Sequence, residues 1–196
     1  AAKDGNVFFN KSYGNHTYDS SSKKVENSDI YDLASITKIA SSALILMQLE
    51  SENRFSVDST LGSYLPEILD STEYKNLVLK EILTHQAGLA SWIPFYIKTL
   101  NDGMPSYELY SKLPSNIHQS LVAKNLYMLS SYRDTIFERI LSTDINKNKK
   151  YKYSDVGYYF INEIIKKITF NSQDLIAENI YSKIGLQNSG YNPLNK

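Results

Sequence analysis

The sequence predicts a mixed α/β fold of the α+β type, in which a mainly helical lobe accompanies part of an antiparallel sheet. Asp4-Gly5 is a strong signal for a tight β-hairpin turn near the start of the chain. A mostly apolar run from Ile39 to Leu49 predicts a long helix, and a later segment has apolar residues at helical spacing. Those later residues are Phe160, Ile161, Ile164, Ile165 and Ile168.

The chain of 196 residues favours one domain and is long enough for a substantial core. Residues 1–29 are interpreted as a partial sheet hairpin followed by a polar loop, and residues 30–196 as the mainly helical lobe. Only residues 1–3 precede the turn, whereas the returning strand is predicted over 6–13, so most of the partner strand is absent. We therefore expect residues 1–196 to be an incomplete domain.

Composition excludes several classes of function. The chain has 21 basic and 21 acidic residues, so no net field attracts nucleic acid, and we expect no nucleic-acid partner. It has no cysteine, and its three histidines lack ligand spacing, so we expect no metal and no cofactor. The longest apolar run is too short for a transmembrane segment.

The helical elements follow from apolar spacing and stop signals. Apolar residues after Lys38 fall on all sides of the first helix, which predicts a helix enclosed by other elements and ended near Asn53. Further helices are predicted over 77–83, 121–128, 135–141, 156–168 and 173–184, the fourth begun by Ser154 or Asp155 and the last stopped by Gly185.

The segment 91–114 is broken by proline and glycine and is expected to be irregular. Its aromatic residues have two interpretations: they line a substrate cleft, or they fill the gap beneath the segment. These residues are Trp92, Phe95 and Tyr96.

Ser35 and Lys38 lie three residues apart where the long helix begins, so their side chains share one helix face. A lysine with a lowered pKa can take the proton of a serine hydroxyl, and amides of a first helical turn favour negative charge nearby. Ser20 and Lys23 have the same spacing but lie in a polar run, where both groups would be solvated. The alternative for the first pair is a helix-terminal serine beside a lysine that extends to solvent.

Four stretches, in order, resemble sequence boxes of the serine β-lactamase and penicillin-binding-protein superfamily. The nearest group is the class C β-lactamases with their esterase and D-alanyl-D-alanine peptidase relatives. The stretches are Ala-Ser-Ile-Thr-Lys at 34–38, Asp58 with Tyr-Leu-Pro at 64–66, Ile-Leu-Thr-His-Gln-Ala-Gly-Leu at 82–89, and Tyr-Ser-Asp-Val-Gly-Tyr at 153–158. The resemblance covers about 5–191 and implies a β-lactamase/transpeptidase-like fold.

The resemblance implies that Ser35 is the acylated nucleophile, with Lys38 as its proton partner. Tyr153 would pass the proton to the leaving atom and later activate water, and a neighbouring lysine cation lowers the pKa of such a phenol. Asp155 stands where the family usually has asparagine and is assigned to substrate binding, although an ionised carboxylate cannot donate a hydrogen bond. For His85 we expect a structural role in which its ring caps a loop.

The family's third box, a Lys/His-x-Gly strand, has no match after Tyr153. That strand supplies the second oxyanion donor, and loss of one donor costs about a hundredfold to a thousandfold in rate. We therefore expect residues 1–196 alone to be inactive or poorly active, and to need the missing C-terminal strands or an adjacent domain to complete the fold. The stretch 88–96 resembles a branch of the family that follows a family 3 glycoside hydrolase domain.

The leading hypothesis is a serine acyl-transfer hydrolase that acts on a cell-wall-related amide or ester. Its expected partner is a small-molecule or peptidoglycan-derived substrate, and its expected location is the periplasm or cell envelope. The main alternative is a catalytically inactive binding or scaffolding module. In one form of this alternative, the module is fused to a glycoside hydrolase. A third hypothesis, an unrelated helical interaction domain, requires Ser35 and Tyr153 to lie far apart.

Overall fold

The computed structural model describes residues 1–191. Its chain divides into two compact units, Ala1–Ile36 and Thr37–Lys196, each of which is described by itself. Within 1–191, no helix combines the length and apolar character needed to cross a bilayer.

The N-terminal unit begins with the predicted hairpin. Strand β1, Ala2–Lys3, pairs antiparallel with β2, Asn6–Val7. Asp4 and Gly5 have φ values of 50° and 77°, the left-handed conformation that a tight hairpin turn requires. The hairpin is confirmed, but the prediction that its second strand extends to residue 13 is wrong, because only β1 is present to pair with it. The unit ends in a 3₁₀ turn, Ala34–Ile36.

The second unit contains most of the regular structure. It opens with a π-helical segment, Lys38–Ala43, which continues directly into the first α-helix. The α-helices are α1 Leu44–Ser51, α2 Leu61–Tyr64, α3 Pro66–Leu69, α4 Leu79–Leu83, α5 Tyr132–Leu141, α6 Val156–Thr169 and α7 Gln173–Lys183. Two 3₁₀ helices span Glu73–Asn76 and Phe95–Thr99. The strands are β3 Leu100–Asn101, β4 Met104–Pro105, β5 Tyr110–Ser111, β6 His118–Ala123 and β7 Leu126–Leu129.

Helix α6 lies at the centre of this unit, as its apolar spacing predicts. Phe160, Ile161, Ile164 and Ile165 are fully buried, and the helix contacts α2, α4, α7 and the π-helical segment. Burial of such a side chain contributes about 1.5–3 kcal/mol. The packing of α6 therefore fixes the position of the residue that precedes it, Asp155.

The long helix predicted after Ser35 is divided into a 3₁₀ turn, a π-helical segment and α1. The expectation that other elements enclose it is wrong. Ile45, Leu46 and Leu49 are buried, but Ile39 and Met47 are about two thirds exposed, at 66% and 65%. Helix α1 packs on α7, and the π-helical segment contacts α7 and α6, but these contacts leave Ile39 and Met47 exposed.

The helix predicted over 121–128 is wrong, because this stretch forms the hairpin β6–β7. Strand β5 joins it to give a three-stranded antiparallel sheet of order β5-β7-β6. Asn125, with φ of 53°, lies in the two-residue connection between β6 and β7. Asparagine tolerates this left-handed conformation, so a turn signal in the middle of the stretch overrode its apolar spacing.

The other predicted helices are confirmed, with boundaries shifted by up to three residues: they are α4, α5, α6 and α7. Gly185, with φ of 78°, follows the end of α7 as expected. The segment 91–114 is irregular as predicted, with one 3₁₀ helix and short strands.

Gly88 joins two loops that lie far apart in the chain. Its φ is 76°, and a Cβ atom there would lie 2.1 Å from the carbonyl oxygen of Asn146. The Asn146 amide also donates a 2.9 Å hydrogen bond to the Gly88 carbonyl oxygen. A residue without a side chain is therefore required where the loop after α4 meets the loop before α6.

We expect Gly88→Ala to destabilise the protein more than Gly103→Ala, as measured by urea unfolding. Gly103 has nearly the same φ, 77°, but open space around its Cβ position, so it reports backbone strain alone. That strain costs about 1–2 kcal/mol, and the steric clash at Gly88 should add about 1–3 kcal/mol. Equal losses in the two variants would contradict the close approach.

Candidate active site

The second unit brings Lys38 and Asp155 together although 117 residues separate them in the chain. Lys38 is the first residue of the π-helical segment, and Asp155 immediately precedes α6. The Lys38 Nζ donates to Asp155 Oδ1 at 2.5 Å; the lysine side chain is 14% exposed and the aspartate side chain 39%. The pair therefore joins two helix beginnings and leaves its carboxylate accessible.

Two phenol rings also face the Lys38 ammonium group. Its Nζ atom lies 5.1 Å from the centre of the Tyr153 ring and 5.3 Å from that of Tyr158. Both distances are within the range of a cation–π interaction, which stabilises the charged form of the lysine. The structure thus brings together Lys38, Tyr153 and Asp155, three of the four predicted site residues.

The Lys38 pKa is not lowered, as a role of this lysine as general base would require. Burial lowers the pKa of this ammonium group, but hydrogen bonds to Asp155 and Tyr153 and the charges of those groups outweigh burial. The Lys38 pKa is therefore above its usual value, and the group is a cation at neutral pH. A carboxylate in direct contact stabilises the proton that a general base would have to release.

Ser35 lies in the 3₁₀ turn Ala34–Ile36, in the N-terminal unit, three positions before Lys38 in the chain. Its role as the nucleophile stays a prediction.

His85 holds the loop that carries Tyr153. Its backbone is left-handed, with φ of 59°, and its Nδ1 atom accepts a 3.2 Å hydrogen bond from the Ser154 amide. Burial and the nearby Lys38 charge lower the His85 pKa, so the ring is neutral at pH 7 with its proton on Nε2. The ring lies 4.4 Å from that of Tyr153, centre to centre. The expected loop-capping role is confirmed.

Further hydrogen bonds hold the corner at Tyr153 from both sides. The Lys152 amide donates to His85 O at 2.9 Å, and the Asp155 amide donates to Ser91 O at 2.8 Å. The Ser154 hydroxyl donates to Ala90 O at 2.6 Å and accepts from the first amide of α6. Ser154 thus caps α6, which leaves the Asp155 carboxylate for Lys38.

A cleft of about 540 Å³ extends from Lys38 and Asp155 along the groove between α5 and α6. Its aromatic and apolar lining consists of Trp92, Ile136, Phe137, Tyr158 and Tyr159. Its remaining polar lining consists of Arg133, Asn162 and Glu163. The volume is in the range of small-molecule sites in proteins.

The two interpretations of the aromatic residues in 91–114 are each correct for one residue. Trp92 lines the cleft and is 60% exposed. Phe95 is buried and packs edge to face on Tyr159, with ring centres 5.4 Å apart. Tyr96 is exposed and lies 6.5 Å from Trp92, measured between ring centres.

Sequence reasoning missed the polar end of the cleft. Arg133 on α5 donates two hydrogen bonds to Glu163 on α6, at 2.6 Å and 3.4 Å. Asn162 and Glu163 follow Asp155 by seven and eight residues, two turns later on the same helix face, which is the signal that could have found them. Among residues 1–191, no group of three or more histidine and acidic side chains is placed to hold a metal ion.

Comparisons with known proteins agree with these motifs. The family model described as Beta-lactamase matches residues 1–196. The N-acetylmuramyl-L-alanine amidase of Bacillus subtilis (strain 168) is 27% identical over 99% of this chain and 42% of its own length. The teichoic acid D-alanine hydrolase of Staphylococcus aureus is 27% identical over 93% of this chain and 36% of its own. The chain thus spans less than half the length of these relatives.

Solved structures show the same fold. A class C β-lactamase in complex with cefoxitin superposes with a TM-score of 0.51 at 14% identity, over 79% of this chain and 34% of that one. The predicted β-lactamase/transpeptidase-like fold is therefore confirmed.

We expect Asp155→Asn to lower the pKa of Lys38 and to destabilise the protein by about 1 kcal/mol at pH 7, since solvent screens the accessible carboxylate. The folded pKa of Lys38 is raised, so its stabilising effect is complete below the unfolded value of about 10.4 and is lost as pH rises through the folded value. The difference in unfolding free energy between wild type and variant should therefore shrink in strongly alkaline solution.

Asp134→Asn is the matched control, because Asp134 pairs with an arginine that stays charged and its side chain is 71% exposed. Its small effect should not change between neutral and alkaline pH. A difference at Asp155 that stays constant up to pH 12 or so would contradict the ion pair.

We expect His85→Ala to destabilise the protein by about 1–3 kcal/mol because the Ser154 amide would lose its acceptor. His85→Asn should cost less, since asparagine tolerates a positive φ and its side-chain oxygen can accept the same hydrogen bond. Wild type should also lose stability below about pH 6.5, where the unfolded chain binds a proton that the folded ring resists. Thermal unfolding across pH 5–8 measures both effects, and equal stability of the two variants would contradict the cap.

Proposed function

Because the chain belongs to the Beta-lactamase family, we propose that its cleft is the acyl-transfer site of a serine hydrolase that acts on cell-wall amides or esters. The observation that carries the proposal is the position of the Lys38 ammonium group, 2.5 Å from the Asp155 carboxylate and 5.1 Å from the centre of the Tyr153 ring. An ion pair with a purely structural role would not require a phenol ring beside an open cleft.

In the proposed reaction, Ser35 Oγ attacks the substrate carbonyl carbon while Tyr153, as phenolate, accepts the serine proton. Tyr153 then passes this proton to the departing nitrogen or oxygen, which leaves an acyl group on Ser35. In the second half, Tyr153 takes a proton from water, which attacks the acyl carbonyl. The bond from the carbonyl carbon to Ser35 Oγ then breaks, and Tyr153 returns the proton to Oγ, which restores the serine and the phenolate.

Lys38 has an electrostatic role in this proposal. Its raised pKa keeps it cationic, so it cannot serve as the initial base. A cation 5.1 Å from the Tyr153 ring centre instead favours the phenolate over the phenol. The same raised pKa also favours the second candidate function, an inactive binding module. It reflects the Asp155 carboxylate, whose negative charge partly cancels the positive charge that would stabilise a phenolate.

Asp155 is proposed to bind substrate N–H groups. An ionised carboxylate only accepts hydrogen bonds, and its side chain is 39% exposed at the cleft. A D-alanyl ester or amide carries such donors, and the names of the Bacillus and Staphylococcus relatives support a cell-wall substrate. We therefore also propose a location in the cell envelope.

The proposal is tested by acylation and turnover in the complete protein. We expect penicillin to add one acyl group to the peptide that carries Ser35, and a chromogenic D-alanyl ester to be hydrolysed. Ser35→Ala should abolish both, whereas Ser20→Ala, at another Ser-x-x-Lys spacing, should change neither. Absence of both adduct and turnover in wild type would reject the hydrolase in favour of the binding module.

We expect Tyr153→Phe to slow turnover of the ester about 10²–10⁴-fold, because it removes the proton-transferring hydroxyl and keeps the ring over Lys38. Tyr151→Phe is the control: this residue lies in the same loop, is 66% exposed, and its ring centre lies 6.1 Å from that of His85. Steady-state kinetics of the three proteins measure the effect. Equal rates for wild type and Tyr153→Phe would remove Tyr153 from the mechanism.

A further inference from the structure

The end of the cleft away from Lys38 has a composition of its own. Asp155 and Glu163 are eight residues apart on one face of α6, a separation of about 12 Å along the helix. The acyl-transfer chemistry proposed above needs only the Lys38 end. The distal end, defined here by Arg133, Asn162 and Glu163, is therefore open to another part of the substrate.

An exposed aromatic surface lines the same cleft. Trp92 is 60% exposed although it lines a concave site, and large aromatic side chains are usually mostly buried. Tyr96, which is 56% exposed and 6.5 Å away between ring centres, extends the aromatic surface outward. Contact with an apolar face of a ligand would bury such a surface and would therefore be favourable.

The polar wall carries no excess positive charge. The Arg133 guanidinium is bound to Glu163 by two hydrogen bonds and to Asp134 by a third at 3.2 Å. One positive charge thus faces two negative charges, which disfavours a phosphate or carboxylate as the ligand. Arginine offers only donors, glutamate only acceptors, and the exposed Asn162 amide offers both. This set suits a neutral group with several hydroxyls.

We propose that the distal end is a saccharide subsite. A pyranose ring has an apolar C–H face, which would stack on Trp92, and hydroxyl or acetamido groups at its edge, which would bond to Asn162, Glu163 and Arg133. The inference rests on the proposed function, since it gives the sugar of a cell-wall substrate a place in the cleft that the proposed reaction uses.

Binding is measured by calorimetry on the complete protein carrying Ser35→Ala, so that no turnover occurs. The probe is N-acetylmuramyl-L-alanyl-D-isoglutamine, and the comparison ligands are the same dipeptide without the sugar and glycerol 3-phosphate. We expect binding of the sugar-containing probe only. Equal binding of the bare dipeptide, binding of glycerol 3-phosphate alone, or no binding of any ligand would overturn the proposal.

Variants locate the sugar. In the Ser35→Ala background, Trp92→Ala should weaken binding of the probe about tenfold, and Trp92→Phe should retain most of the affinity. Asn162→Ala should weaken it about threefold to tenfold through the lost hydrogen bonds. Tyr107→Ala is the control, because Tyr107 is 93% exposed and does not line the cleft. Unchanged affinity in Trp92→Ala would overturn the subsite even if the probe binds.

The two proposals can fail separately. Loss of the penicillin adduct and of ester turnover, with sugar binding intact, would reject the hydrolase and keep the saccharide subsite. An adduct on Ser35 without sugar binding would keep the hydrolase and reject the saccharide subsite.

Discussion

The ion pair between Lys38 and Asp155 is the constraint on which the candidate site depends. Burial of Lys38 would favour the neutral amine, and a carboxylate at 2.5 Å reverses that preference. The pair also ties the π-helical segment to the start of α6. Because α6 is the central helix of its unit, the position of the ammonium group is coupled to the best-packed part of the structure.

The loop after α4 supports this pair without contributing charge. His85 accepts the Ser154 amide proton, and the carbonyl groups of Ala90 and Ser91 bond to the residues that lead into α6. Gly157 allows α4 to approach α6, since a Cβ there would lie 2.5 Å from a side-chain carbon of Ile82. A close helix contact and a set of short loop bonds thus hold Tyr153 beside Lys38.

Much of this arrangement could be predicted from the sequence. The hairpin at Asp4-Gly5 and the apolar face of α6 are local or periodic signals. The stretch 121–128 forms a hairpin and not the predicted helix, because the turn signal at Asn125 outweighs its apolar periodicity. The polar end of the cleft was missed because Arg133 and Glu163 lie on different helices, and no spacing rule relates such residues.

The sequence by itself determined the family motifs and the helices α4, α5, α6 and α7, since these depend on residue type and short-range spacing. Only the tertiary structure decided the charge of Lys38 and the joint lining of one cleft by Trp92, Arg133 and Glu163. The physical reason is that pKa values and concave surfaces depend on distances between groups that are far apart in the chain. A carboxylate 117 residues away raises the pKa of a lysine whose burial alone would lower it.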